Sequence, residues 1–221
     1  MKKGFIAVGL MAGFFAAGVA QAEVAVTGDL GTTGVGVHLS VPVQPNVNAR
    51  FGVNAMNYSY SDNTSDVDYD FKLKLQTFDA LLDWFPAGGG FRLSGGVVYN
   101  GNKVDARARS NSTGSYTFNG RTYTAADAGT VNGRIDFRKA APYLGIGWGN
   151  ALAKDKGWGF SADLGVLFQG APRTSMTSSG CTLPDCSQLQ SDIAAENRKL
   201  NDEVDSFKAY PVIRFGVSYK F

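Results

Sequence analysis

The sequence predicts an all-β fold, an antiparallel transmembrane β-barrel of eight strands with one short amphipathic helix in its last long loop. Three observations predict it. The segment Phe207 to Phe221 alternates: Phe207, Ala209, Pro211, Ile213, Phe215, Val217, Tyr219 and Phe221 are apolar or aromatic, while Lys208, Tyr210, Val212, Arg214, Gly216, Ser218 and Lys220 on the other phase are mostly polar, basic or small. Successive strand side chains point to opposite faces, so this strand has an oily face and a wet one. The same alternation recurs along the chain in segments of about ten residues, the length a tilted strand needs to cross a bilayer. Finally, Met1-Lys2-Lys3, the apolar run Gly4 to Val19 and Ala20-Gln21-Ala22 have the form of a cleaved secretory signal peptide over residues 1–22.

Removing that segment leaves 221 − 22 = 199 residues, one domain over 23–221. The 21 basic residues fall by Lys2 and Lys3 to 19, against 19 acidic, so the mature formal charge is zero and nothing suggests nucleic acid. No other stretch is long and apolar enough for a transmembrane helix. With one His and no CxxC pair, the chain offers no metal set, and no cofactor is expected. Cys181 and Cys186 follow an export signal, so a disulfide is expected.

Taken in order, Val24, Val26 and Leu30 mark a short first strand, and Gly31 to Gly34 turn the chain. Val35 to Val43 alternate with Gly36, His38 and Ser40; after Gln44-Pro45-Asn46, Ala49, Phe51, Val53 and Ala55 face out and Arg50 and Asn54 face in. From Val67 to Phe85 the alternation slips phase: Phe71, Leu73 and Leu75 are odd, Phe78, Ala80, Leu82 and Trp84 even. Carrying the first phase through would place Asp79 and Asp83 in lipid, at a few kcal/mol each at mid-depth. The reading is a bulge near Gln76, with the second half spanning and the first half projecting above the membrane. Pro86 to Gly90 turns into a strand with Phe91, Leu93, Val97 and Tyr99 outward and Arg92, Ser94 and Asn100 inward. Asn102 to Asn132 is a surface loop holding a small hairpin about Asn119-Gly120. Ala140 to Gly149 and Trp158 to Phe168 are the next two strands, with Gly145, Gly147, Ser161 and Asp163 inward. Arg173 to Ser206 breaks the strand pattern; Leu189, Ile193, Leu200, Val204 and Phe207 have helical spacing, opened by Ser187 and Gln190 as a capping box. That helix either lies on the rim, the reading favoured here, or plugs the mouth. Trp84, Trp148 and Trp158 sit beside turns, where an interfacial aromatic girdle is expected.

The signal peptide and the ending Gly216-Val217-Ser218-Tyr219-Lys220-Phe221 resemble small outer-membrane β-barrel families of Gram-negative bacteria, of the OmpA transmembrane, OmpX and OmpW kind, and the stretches Ala141 to Gly147 and Leu164 to Gly170 resemble a proteobacterial subfamily of such barrels. The resemblance implies a monomer in the outer membrane, surrounded by lipid and lipopolysaccharide. It implies insertion by the barrel assembly machinery, with Phe215, Val217, Tyr219 and Phe221 as the C-terminal assembly signal. Unlike OmpA, no peptidoglycan-binding domain is expected after Phe221. It implies no settled activity.

Three functional classes follow. The inward faces carry Arg50, Asp79, Asp83, Arg92, Asp163 and Arg214, three charges of each sign. A lumen this narrow either closes on these as salt bridges or leaves a porin-like conduit for small solutes. The spacing His38-Leu39-Ser40 resembles the His-x-Ser of lipid A deacylases but stands in the first hairpin rather than late in the chain, so no enzyme is expected. The two long loops are candidates for surface recognition.

Overall fold

The computed structural model describes residues 23–63, 68–109, 114–153 and 156–221. The signal-peptide expectation, and part of the polar loop read at Ser61 to Asp66, lie outside them. In chain order the elements are β1 (Ala25–Gly31), β2 (Gly34–Gln44), β3 (Val47–Asn63), β4 (Asp68–Trp84), β5 (Phe91–Asn100), β6 (Lys103–Arg109), β7 (Ser115–Phe118), β8 (Arg121–Thr124), α1 (Ala125–Ala128), β9 (Thr130–Asp136), β10 (Ala140–Trp148), β11 (Gly157–Phe168), β12 (Arg173–Ser179), α2 (Ser187–Val204) and β13 (Ala209–Lys220).

Eight of these strands close on themselves in the order β4-β3-β2-β1-β13-β11-β10-β5, with β5 returning to β4. The short first strand is the one that shuts the ring. Ala25 to Gly31 pairs with β13 on one side and β2 on the other, so no edge is left open. Every spanning strand alternates as its sequence does. Phe160 is 77% exposed and Phe215 66% exposed, with Leu30, Val53, Leu82 and Leu144 also on the outer wall. Large apolar side chains in that state need hydrocarbon against them. Trp84, Trp148 and Trp158 lie on this wall at the short-turn end, where Trp158 packs edge-on against Tyr219 and Tyr219 against Phe221.

At the other end the wall continues upward. The upper halves of β3 and β4 extend past the barrel and gain β6, β9 and β12 as further antiparallel strands. These three strands correct the reading of both long loops as non-strand surface segments. Their alternation lacks the large lipid-facing residues that mark the spanning strands: Lys-Val-Asp-Ala-Arg-Ala-Arg in β6 and Arg-Thr-Ser-Met-Thr-Ser-Ser in β12. The hairpin β7-β8, with Asn119 and Gly120 at φ 51° and 78°, then folds over this sheet.

The bulge near Gln76 does not exist. The pairing of β3 with β4 runs without a shift from Val47↔Trp84 to Asn63↔Asp68. Odd residues of β4 stay on the inner side throughout: Leu75, Thr77, Asp79, Leu81 and Asp83 are all buried. The slip is one of solvent, not of backbone. Below Gln76 the outer face meets lipid and is apolar; above it the outer face meets water and carries Lys72 and Lys74, while Phe71 and Leu73 are half-buried on the opposite face.

That cap has its own core. Tyr116, Phe118, Ala128, Val131, Leu189 and Ile193 form one buried cluster, with Tyr123, Met176, Cys181 and Leu183 packed against it. The Cys181–Cys186 disulfide is formed. Helix α2 rests on β12 and β7, an element of the cap rather than a plug in the lumen. The capping box is also corrected. Cys186 is the N-cap and makes no side-chain cap bond; Ser187 is the first helical residue, and its backbone N–H donates to Asp185 Oδ1 at 2.9 Å.

Candidate functional site

The structure places all six inward charges in the lumen and nearly out of solvent, and it sorts them into two groups. Toward the short-turn end, Arg50 from β3, Asp83 from β4, Arg92 from β5 and Asp163 from β11 form a ring. Arg50 Nη1 donates to Asp163 Oδ2 at 2.9 Å and Nη2 to Asp83 Oδ1 at 3.0 Å. Arg92 Nη2 donates to Asp163 Oδ1 at 2.7 Å, and its Nη1 to the carbonyl of Gly149. Ser94 Oγ adds a bond to Asp83 Oδ1 at 2.5 Å. Two guanidinium groups and two carboxylates cancel; the bridges from Arg50 and Arg92 to Asp163 join strands distant in sequence, whereas Arg50 to Asp83 joins the neighbouring β3 and β4. Beneath the ring, Asn48 on β3 donates to Asn150 Oδ1 at 3.0 Å, and Lys220 Nζ donates to the Leu152 carbonyl at 3.0 Å. Asn150 and Leu152, after β10, are thereby held to β3 and β13 at the lower end of the lumen.

The second group is higher. Arg214 Nη2 lies 3.3 Å from Asp79 Oδ2. His38 stands between two carboxylates, with Nδ1 2.5 Å from Asp29 and Nε2 3.1 Å from Asp79. Asn54 Nδ2 donates to Asp79 Oδ2 at 3.0 Å, and Arg214 Nε donates to Thr33 Oγ1 at 3.2 Å. Gly52 makes room for the imidazole: a Cβ there would come within 1.9 Å of His38 Cδ2. Both ring nitrogens of His38 face aspartates, and Ser40 takes no part, so the His38-Ser40 pair has no nucleophile–base geometry.

Beside these charges the lumen is apolar. Leu81, Val98, Ala141, Tyr143, Leu167 and Val212 form a buried cluster with Tyr210 packed against it. Tyr143 lies across Gly145 and Gly165, where a Cβ would meet its hydroxyl at 2.6 and 2.4 Å. Sequence reasoning missed Asp29 and this cluster. Asp29 was legible as the inward alternate between Gly28 and Leu30 once β1 is accepted. Leu81, Val98 and Leu167 each adjoin an outward apolar residue, and a pair of neighbouring apolar residues does not say which one faces lipid.

The second candidate region is the cap, joined by one buried carboxylate. Asp192 on α2 accepts from Tyr123 Oη at 2.5 Å, from Asn119 Nδ2 at 3.1 Å and from Gln188 Nε2 at 3.3 Å, tying helix to hairpin. The Tyr123 hydrogen bond, then that of Asn119, holds its pKa below the ordinary aspartate value. Its contribution is therefore complete above the unfolded-chain pKa of about 3.9 and is lost as pH falls through the lower folded value. Hydrogen exchange in α2 should rise only in acid, below about pH 4. Asp192→Asn should raise exchange at neutral pH and flatten that acid dependence.

No protein-family model matches the chain, and no curated protein matches it in sequence. Two solved structures from Acinetobacter baumannii are similar. CarO2 superposes with a TM-score of 0.57 at 23% identity, over 90% of this chain and 99% of that one. CarO superposes with a TM-score of 0.56 at 26% identity, over 91% of this chain and 98% of that one. The likeness runs over cap and barrel together and agrees with the ring of eight strands, and the chain is a closed β-barrel of the outer-membrane kind.

Proposed function

We propose that the protein is an integral outer-membrane barrel, closed along its axis, that presents a folded cap at the cell surface for interaction with other molecules. The observation that carries this reading is the cross-lumen ring of Arg50, Asp83, Arg92 and Asp163, seated beside an apolar cluster. A solute moving down the axis would have to part charge pairs that are shielded from water, and separating such a pair costs several kcal/mol. The porin-like conduit read from the sequence needs that ring to open. Export by cleavage after Ala22, insertion through the C-terminal signal ending at Phe221, and a monomeric state belong to the same proposal. The even strand count supports the placement of the cap outside, since it puts both chain ends with the short turns on the periplasmic side.

Reconstitution of the purified, refolded protein into planar bilayers tests the closed state. The expected record is free of discrete conductance steps. Reproducible steps, altered in size by Arg50→Ala, would establish the conduit instead.

A further inference from the structure

The outer wall changes character at one level. Below it β2, β3 and β4 present Val35, Val53 and Phe78 to lipid. Directly above, the same face of the extended sheet is basic. In the row nearest the apolar band Lys74 pairs across to Lys103, Lys103 to Asp136, and Asp136 to Arg173. Lys139 joins this row from the start of β10, its Nζ 5.9 Å above the Tyr99 ring. Four cations there face one carboxylate. One row higher, Lys72, Asp105 and Arg134 stand side by side. Asp105 is already engaged by Arg134 Nε at 2.8 Å and by Lys74 Nζ at 3.5 Å, which leaves the row a net positive charge. Above that, Asp70 lies opposite Arg107 and the two offset each other.

A groove of about 710 Å³ joins the two zones. Val35, Val53 and Phe78 line its lower part; Lys103 and Lys139 stand at its upper end, with Asp136 of β9 opposite Lys103. We infer that this groove is a binding site for a phosphorylated glycolipid of the outer leaflet, one acyl chain against Val53 and Phe78 and a phosphate between Lys103 and Lys139. The inference rests on the membrane-barrel reading above. Charge and continuity select the occupant. A basic surface just outside the hydrocarbon attracts anionic headgroups. An apolar trough leading into that surface suits a molecule that is oily and anionic at once, whereas a free phosphate would use only its upper end. Ammonium groups serve here as mobile point charges, which suits a headgroup whose phosphate position varies.

Native mass spectrometry of the full folded chain in non-ionic detergent tests the site, with lipid A in bis-phosphorylated and dephosphorylated forms as probes. The bis-phosphorylated form should be retained at least about tenfold more than the dephosphorylated one. Combined Lys74→Gln, Lys103→Gln and Lys139→Gln substitution should remove that preference, whereas Arg198→Gln with Lys199→Gln on α2 should leave it intact. The compact gel band before heating verifies that each variant is folded. Equal retention by the triple variant, or of the dephosphorylated probe, would overturn the site. So would complete displacement of the lipid by inorganic phosphate, because the trough would then contribute nothing. A wild-type chain without a compact band would overturn the barrel reading itself, a separate result.

Discussion

Asp163→Ala is expected to lower barrel stability by about 3–5 kcal/mol, the cost typical of leaving a buried charge without its partner. Asp163 is the residue on which both guanidinium groups of the lower ring converge, at 2.9 Å from Arg50 and 2.7 Å from Arg92. Its removal sets two cations against Asp83 alone. Neither arginine can reach bulk water without leaving the lumen, so relaxation is limited. The measurement is the urea midpoint at which the compact gel band converts to the extended one. Arg50→Leu combined with Asp163→Leu should lose much less than the sum of the single changes, because a volume-matched apolar pair removes both desolvation penalties together. An Asp163→Ala midpoint equal to wild type would mean that the ring is solvated, as an open conduit requires.

Phe118→Ala is expected to cost the cap about 3–5 kcal/mol and the barrel almost nothing. Phe118 is 1% exposed and packs with Tyr116 at 5.8 Å between ring centroids, within the cluster that also holds Leu189 and Ile193. No residue of that cluster belongs to a lumen-lining strand segment. The two cores are therefore separate cooperative units, and damage to one should stop at their boundary. Limited proteolysis reads this out: cleavage within 180–206 should become fast while the heat-dependent gel shift persists. Loss of both together would show that cap and barrel fold as one unit.

How far the sequence revealed these features depends on which solvent selects each residue. Where a strand separates hydrocarbon from lumen, the two faces differ so much in polarity that Phe160, Leu164 and Phe215 declare the outer wall unaided. The lumen charges follow from the same alternation, since every charged residue assigned inward is indeed on that side. The cap obeys no such rule. Its strands face water on one side and a small protein core on the other, so Lys103, Asp105 and Arg107 on β6 resemble an ordinary solvated loop. The reversal at Gln76 shows the difficulty in one strand. Polarity changed sides while the backbone kept its register, and periodicity alone reads that as a bulge. Pairings such as His38 with Asp29 were beyond reach for another reason. They depend on which inward residues share a level, and level is set by the stagger between strands rather than by any one strand's pattern.

The claim beneath all of this is that lipid chains solvate the outside of the ring. The chain's three tryptophans, Trp84, Trp148 and Trp158, stand on that wall with 51%, 65% and 65% of their surface uncovered by protein. Refolding into bilayers whose acyl chains carry bromine measures their surroundings directly. Strong quenching of tryptophan emission, absent in unbrominated lipid, is the expected result. Unquenched emission from a chain that stays folded in detergent-free buffer would contradict it.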